Sequence, residues 1–580
     1  MPSSSDMPSS SEPSRACHRR VRRFCVRPGH RGHRCLALAC FTLVWTSTAC
    51  ARSDSAAPGN ETITETELRE ALHTLAHDSM GGRLAGTDDL DRASNWIRDH
   101  FDDLGLAPAG DHGTYDQYFD LVWFSLGEGN RLSIEGLADD RSPGEGWTPS
   151  PGATGSARGS VVFAGFGIVE PRLDYDDYDG EAVDGRLVLV MEGEPGADDA
   201  ASPFDGLVSS EASRSWRKVL AAQERGAAAV LFVRDVHRAP DVEDWERLHA
   251  GTWPEERRRI ERFDLGARID ELRIPSARIS AELAELLVAG TGRSLEDLAL
   301  EAEASPSGVG VTELPGARVE LVVSLEAHVE QGRNVLAMME GTDPELRDEV
   351  VIIGAHHDHN GTAGDVVYNG ADDDGSGTVA VMEIAEAYAH AAAEGERPDR
   401  SVIFAVWDAE ERGLLGAWYY TRRPLFPLER TAAYLNMDMI GRNEEVPEDG
   451  GGRFRGLQVQ SAASNANAVN ILGYSRAPEL AATVEEANEA TGLVLRFRYD
   501  NNRSNLLRRS DHWPFLQNGV PAVWFHTGLH PDYHTPDDDP HRIEYEKMTR
   551  IVKLVHRVSW AAANGPERYE VEPMGSPPTS

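Results

Sequence analysis

The chain has 580 residues and a formal net charge of −39 at pH 7, with 40% hydrophobic and 26% charged residues. That length holds more than one typical domain and ample material for a large core. Such acidity excludes nucleic acid as a partner and opposes direct adsorption to an anionic membrane surface, because both would repel the protein.

The first fifty residues stand apart. An Arg-rich stretch over 15–34 is followed by the apolar run 35–45 and the small residues Thr46-Ser-Thr-Ala-Cys50. A basic region, a short apolar region and a small-residue exit describe a signal peptide over 1–50, and the apolar run is too short to span a bilayer. All five cysteines lie in this segment, so the remainder forms no internal disulfide. Cys50, directly after Thr-Ala, resembles a bacterial lipoprotein processing site. An ordinary secretory signal with an incidental cysteine is the alternative. The expected location is periplasmic or cell-surface, with a lipid anchor on Cys50 holding the protein to a membrane. Residues 51–61 read as a flexible linker.

Thr64 with Glu67 makes a capping-box pair, and Leu68, Leu72 and Leu75 then mark one helical face. Leu90, Ala93, Ile97 and Phe101 mark a second. Over 125–300 the texture changes to short apolar strands and Gly-rich turns, a smaller α/β unit without an obvious catalytic cluster. Its Tyr175-Asp-Asp-Tyr178 reads as a solvated turn rather than an acidic site. From Arg333 strands alternate with helices until about 563, and 564–580, rich in Pro, Ser and Glu, read as a disordered tail.

The chemistry sits at the ends of four apolar runs: 350–355 before His356, 401–407 before Asp408 to Glu411, 432–437 before Asp438, and 521–525 before His526 to His534. Runs of this kind read as buried parallel strands, and ligands of open α/β sheets gather outside the strands' carboxyl ends. Carboxylates and imidazoles without thiolate suit zinc or a similar divalent ion. One Asp giving an oxygen to each ion can hold two of them roughly 3.5–4 Å apart. Asp372, Asp373 and Asp374 all offer such a bridge, and spacing alone leaves the choice open. Glu410 and Glu411 are neighbours, so one should bind an ion while the other handles the proton of the attacking water. Asp408 reads as support for the strand end.

Six segments resemble the co-catalytic di-zinc aminopeptidase and glutamate carboxypeptidase family, the zinc exopeptidases: Gly354-Ala-His-His-Asp-His359, Gly370-Ala-Asp-Asp-Asp-Gly-Ser-Gly377, Asp408-Ala-Glu-Glu-Arg-Gly-Leu-Leu-Gly416, Asn436-Met-Asp-Met-Ile-Gly-Arg442, Ser510-Asp-His-Trp-Pro-Phe515 and Tyr533-His-Thr-Pro-Asp-Asp538. The resemblance implies two zinc ions per chain, with His356 and Asp438 on one, Glu411 and His534 on the other, and Asp373 bridging. It implies Glu410 as general base, Asp358 orienting His356, a hydrogen bond from the Tyr533 phenol to the developing oxyanion, and a cis peptide after Asp373. The fold implied is α/β, a mixed, mostly parallel sheet sandwiched by helices (62–120 and 325–563). A smaller α/β protease-associated domain over 125–300 is inserted into it. His357, His359, His512, His526 and His530 read as packing, supporting or pocket residues.

Peptides are the expected substrates, and an exported aminopeptidase is the leading reading, with acidic groups receiving the substrate's α-ammonium. A carboxypeptidase would need a basic pocket, for which Arg503, Arg508 and Arg509 are candidates. Relatives that serve as binding or receptor modules lose ligands, and this chain has lost none.

Overall fold

The structure, a computed structural model, describes residues 57–238, 244–566 and 568–572. The expected signal peptide with Cys50, the start of the linker and most of the tail lie outside these. Among the described residues no helix is long and apolar enough to cross a membrane.

The first sheet is built on β1 (Asp116–Leu126), β2 (Leu325–Met339), β3 (Val350–His356), β4 (Ser401–Trp407), β5 (Thr431–Met437), β6 (Ala468–Leu472) and β7 (Ala522–His526). Their spatial order is β1-β2-β4-β3-β5-β7-β6. The four strands that read as buried parallel strands, β4-β3-β5-β7, are mutually parallel at the centre. The mixed character lies outside them, since β2 joins β4, and β6 joins β7, antiparallel.

Every residue of β3 is buried, and its side chains alternate between two cores as strand geometry requires. Val351, Ile353 and Ala355 face α1 (Glu65–Leu75), α2 (Asp88–Asp103), α3 (Gly377–Ala393) and α5 (Tyr545–Asn564). Val350 and Ile352 join Trp407 and Tyr434 on the opposite face, under Trp513 and Phe515 of α4 (His512–Gln517). Leu68, Leu72, Leu75, Ile97 and Phe101 are fully buried, as their helical spacing requires. Each large side chain so placed contributes about 1.5–3 kcal/mol. Thr64 caps α1 by accepting from Glu67 N, while its own N–H goes to Glu383 instead of back to Glu67.

A second, seven-stranded sheet takes its strands from 131–323, and its four strands Gly155–Phe163, Leu187–Met191, Ala229–Val233 and Ser276–Ile279 are parallel. It reaches beyond residue 300, because strand Thr312–Val323 pairs with Gly155–Phe163.

Three sequence expectations change. Residues 57–61 are not a loose tether: Ala57 and Asn60 are buried, and Asn60 Nδ2 donates to Lys553 O at 3.0 Å. Residues 568–572 pack rather than trail away, with the Tyr569 hydroxyl 3.1 Å from Thr483 Oγ1 and Glu572 N donating to Arg476 O. Tyr175-Asp-Asp-Tyr178 is not a solvated turn. Tyr175, Asp177 and Tyr178 are buried, and Asp177 accepts from Phe166 N, Ile168 N and the Tyr175 hydroxyl at 2.9–3.1 Å.

Candidate metal centre

Each central strand stops where an acid or imidazole begins. His356 closes β3, Asp408 follows β4, Asp438 follows β5 and His526 closes β7. Ala409, Met439 and His534, beside or within these ends, hold left-handed backbone angles near +57°. Conformations of that kind persist only where the surroundings fix them, and they cluster at functional sites.

The three consecutive aspartates have three separate tasks. Asp374 accepts from His356 N, Gly377 N and Met439 N, tying together the ends of β3 and β5 and the start of α3. Asp372 accepts from Gly441 N and meets His530 Nε2 at 3.1 Å. Asp373 is left to face the imidazoles, with Oδ1 3.4 Å from His356 Nε2 and Oδ2 3.0 Å from His534 Nε2. Its backbone N–H is held by Asp538, and the peptide to Asp374 is cis, as expected.

Around Asp373 the donors form two groups. His356, Glu410 and Asp438 make one; His359 and Glu411 with Asp373 make the other. His356 Nε2 lies 3.4, 3.7 and 3.8 Å from Asp373, Glu410 and Asp438, buried and without a hydrogen-bond partner. That spacing is too wide for direct hydrogen bonds but close to the roughly 3.3 Å between tetrahedral donors that each stand 2.0–2.1 Å from a zinc ion. Glu411 has an imidazole on each oxygen, His359 Nδ1 at 2.8 Å and His534 Nε2 at 3.1 Å. Tyr533 stacks on the His534 ring.

Asp358 supports the site from below. It lies 3.5 Å from His356 Nδ1, and its two oxygens accept Glu410 N and Glu411 N, fixing the turn that carries both glutamates. Asp408 accepts Arg333 N and so braces the strand end.

Six buried carboxylates, Asp358, Asp373, Glu410, Glu411, Asp438 and Asp511, face three imidazoles here. So much buried negative charge fits divalent cations, which would otherwise have to be replaced by protons. The protonation tendencies show the imbalance. Burial, with Asp438, Asp511 and Glu411, pushes Glu410 well above the carboxylate range although His356 opposes it. Burial disfavours charge on His534, yet Glu411 and Asp373 raise it to about 10.

Of the remaining histidines, His357 is tied to Ser94 and Trp407 O, His526 to Asp438 O, and His512 packs against the Trp524 ring in a tilted pair. His359 departs from the expectation: it stands in the second group of donors. Nothing in its spacing separated it from its neighbours. Asn360, which donates to Glu411 at 3.0 Å, and Asp511, whose buried oxygens lack partners, were also missed. So was Arg83, buried far upstream and donating to His357 O, Asn369 O and Gly370 O.

Two of the arginines considered for a basic pocket are engaged elsewhere, Arg508 with Glu211 and Arg503 with Asp198. A cavity of about 360 Å³ instead opens beside Glu411 and Arg412, walled by Trp253, Arg258, Arg262 and Phe263.

Comparison with known proteins finds relatives named probable glutamate carboxypeptidase and probable zinc metalloprotease, a solved aminopeptidase structure and one family match. A probable glutamate carboxypeptidase AMP1 of Arabidopsis thaliana is 28% identical over 486 residues, 78% of this chain and 61% of that protein. A probable zinc metalloprotease of Pyrenophora tritici-repentis is 26% identical over 259 residues, 40% of this chain and 57% of that one. The chain thus spans about three-fifths of the length of these relatives. An aminopeptidase from Aneurinibacillus sp. strain AM-1 superposes with a TM-score of 0.46 at 17% identity, covering 89% of this chain and 97% of its own. The sequence profile of peptidase family M28 matches residues 334–559, the stretch that contains all six motifs and both groups of donors. Residues 334–559 are a peptidase family M28 domain.

Proposed function

We propose that the chain is an exported zinc aminopeptidase that removes single amino-terminal residues from peptides. The observation that carries the reading is Asp373, whose two oxygens face His356 on one side and His534 on the other. In this reading His356 and Asp438 would hold one zinc, Glu411 and His534 the other, and Asp373 both. His359 stands against the same Glu411. When bound, the ions supply Lewis acidity that polarises the scissile carbonyl and acidifies the attacking water.

The chain's own groups do the rest. Glu410, which stands with His356 and Asp438 at the strand ends, takes the proton from water and passes it to the leaving amine. Tyr533 donates a hydrogen bond to the oxygen on which charge develops. Asp358 keeps Glu410 and Glu411 in register through their backbone N–H groups. The substrate α-ammonium is attracted by the carboxylate excess. Export and the lipid anchor at Cys50 rest on the leader sequence.

A carboxypeptidase is the second reading, supported by Arg258, Arg262 and Arg412 around the adjoining cavity. One peptide offered free, acetylated and amidated separates the two. The aminopeptidase loses most of its kcat/KM on acetylation and little on amidation. Indifference to acetylation with a steep loss on amidation would establish the carboxypeptidase instead.

A further inference from the structure

The second sheet's connection 200–211 grips the loop that leads into α4. Asn501 accepts from Leu207 N at 2.8 Å and donates to Ala200 O at 2.8 Å, while Asn505 accepts from Ser209 N at 3.0 Å. Asp205 pairs with Arg476, and Arg508 donates to Ser209 O. Val208 is fully buried in the same core as Trp513, Phe515 and Leu507. At the centre of this contact is Glu211, 2% exposed, whose Oε1 accepts both from Arg508 Nη2 at 2.9 Å and from the indole N–H of Trp513 at 3.0 Å.

What Glu211 holds matters because of where α4 begins. Three residues before Trp513, Ser510 accepts from Asn436 Nδ2 at 2.7 Å. Asn436 is held in turn by the Tyr434 hydroxyl at 2.6 Å, and Tyr434 by Trp407 Nε1 at 2.8 Å. Asn436 is two residues from Asp438, and Asp511 lies buried among His356, Asp438 and Glu410. A continuous set of buried hydrogen bonds therefore runs from the second sheet's connection to the end of β5.

We propose that Glu211 is a positioning residue through which the second-sheet region sets α4, Ser510 and the β5 end, and so the spacing between Glu410 and the ion-holding groups. Loss of about 1 Å of registration at a reacting centre can cost on the order of 10²-fold in rate. The proposal rests on the peptidase reading for its assay, and wild-type activity checks that reading separately.

The test compares Glu211→Ala, Glu211→Gln and Asp198→Ala in the full chain, each scored for zinc content, Tm, kcat and KM. Asp198 meets Arg503 across the same contact but is exposed. Glu211→Ala should keep its zinc and KM within twofold while kcat falls at least tenfold. Glu211→Gln, which still offers an oxygen to Trp513 and Arg508, should recover most of kcat, and Asp198→Ala should match wild type. If Glu211→Ala does not fold, Trp513→Phe removes the indole donor together with part of the buried ring; it should lower kcat at least threefold, and more than Phe515→Leu, which trims the same core without touching Glu211. A folded, zinc-loaded Glu211→Ala or Trp513→Phe with normal kcat, or an equal loss in Asp198→Ala, would overturn the proposal.

Discussion

Both sheets place parallel strands at their centres, yet they treat the buried polar groups at the strand ends differently. In the second sheet region Asp177 has both oxygens engaged by Phe166 N, Ile168 N and the Tyr175 hydroxyl, and both oxygens of Glu194 are engaged by Ser210. Lys218, fully enclosed, donates to Met191 O and Gly193 O. In the first sheet His356 Nε2, His359 Nε2 and both Asp511 oxygens are equally buried but have no partner. A buried polar group with its partners in place holds a fold together, whereas a cluster of such groups left open awaits a ligand. Burial and charge alone do not separate the two cases; the accounting of partners does.

The largest effect that can break this comparison is at Glu410. Glu410→Gln removes the base but keeps an acceptor of the same shape, so kcat should fall on the order of 10²–10⁴-fold while both zinc ions remain. Loss of an ion on this substitution would make Glu410 a ligand and move it to the structural side of the site. The contrasting acid is Asp177. Asp177→Ala strands three buried donors, at about 1–3 kcal/mol for each one left unpaired. Urea unfolding should show that loss while kcat/KM of the folded protein is unchanged, and a fall in kcat/KM would mean that the second sheet's acids also serve the reaction.

Much of this was legible in the sequence because strands and ligands share a rule. An apolar run that ends at His356, Asp408, Asp438 or His526 announces both the strand and the place where its chemistry lies, and all four runs are strands that stop there. The two early helices were readable from the 3.6-residue spacing of Leu68, Leu72, Leu75 and of Leu90, Ala93, Ile97. Groups whose role depends on contacts across long sequence separations were not readable. Arg83 reaches carbonyls at residues 357, 369 and 370, and Glu211 meets Arg508 and Trp513 some three hundred residues away. The aspartate run shows the same limit: Asp372, Asp373 and Asp374 are chemically alike, and only the backbone N–H groups gathered by the outer two single out the middle one. His359 looked like any histidine near the site until the fold set it 2.8 Å from Glu411.

Metal analysis of wild type beside Asp373→Asn decides whether Asp373 serves two ions at once. Asparagine keeps the shape but offers one oxygen and no charge, so it cannot hold both groups of donors together. Wild type should carry two zinc ions per chain after exhaustive dialysis, and Asp373→Asn should retain at most one and lose hydrolysis. A variant that keeps both ions at wild-type affinity, or a wild type that is fully active with a single ion, would contradict the account.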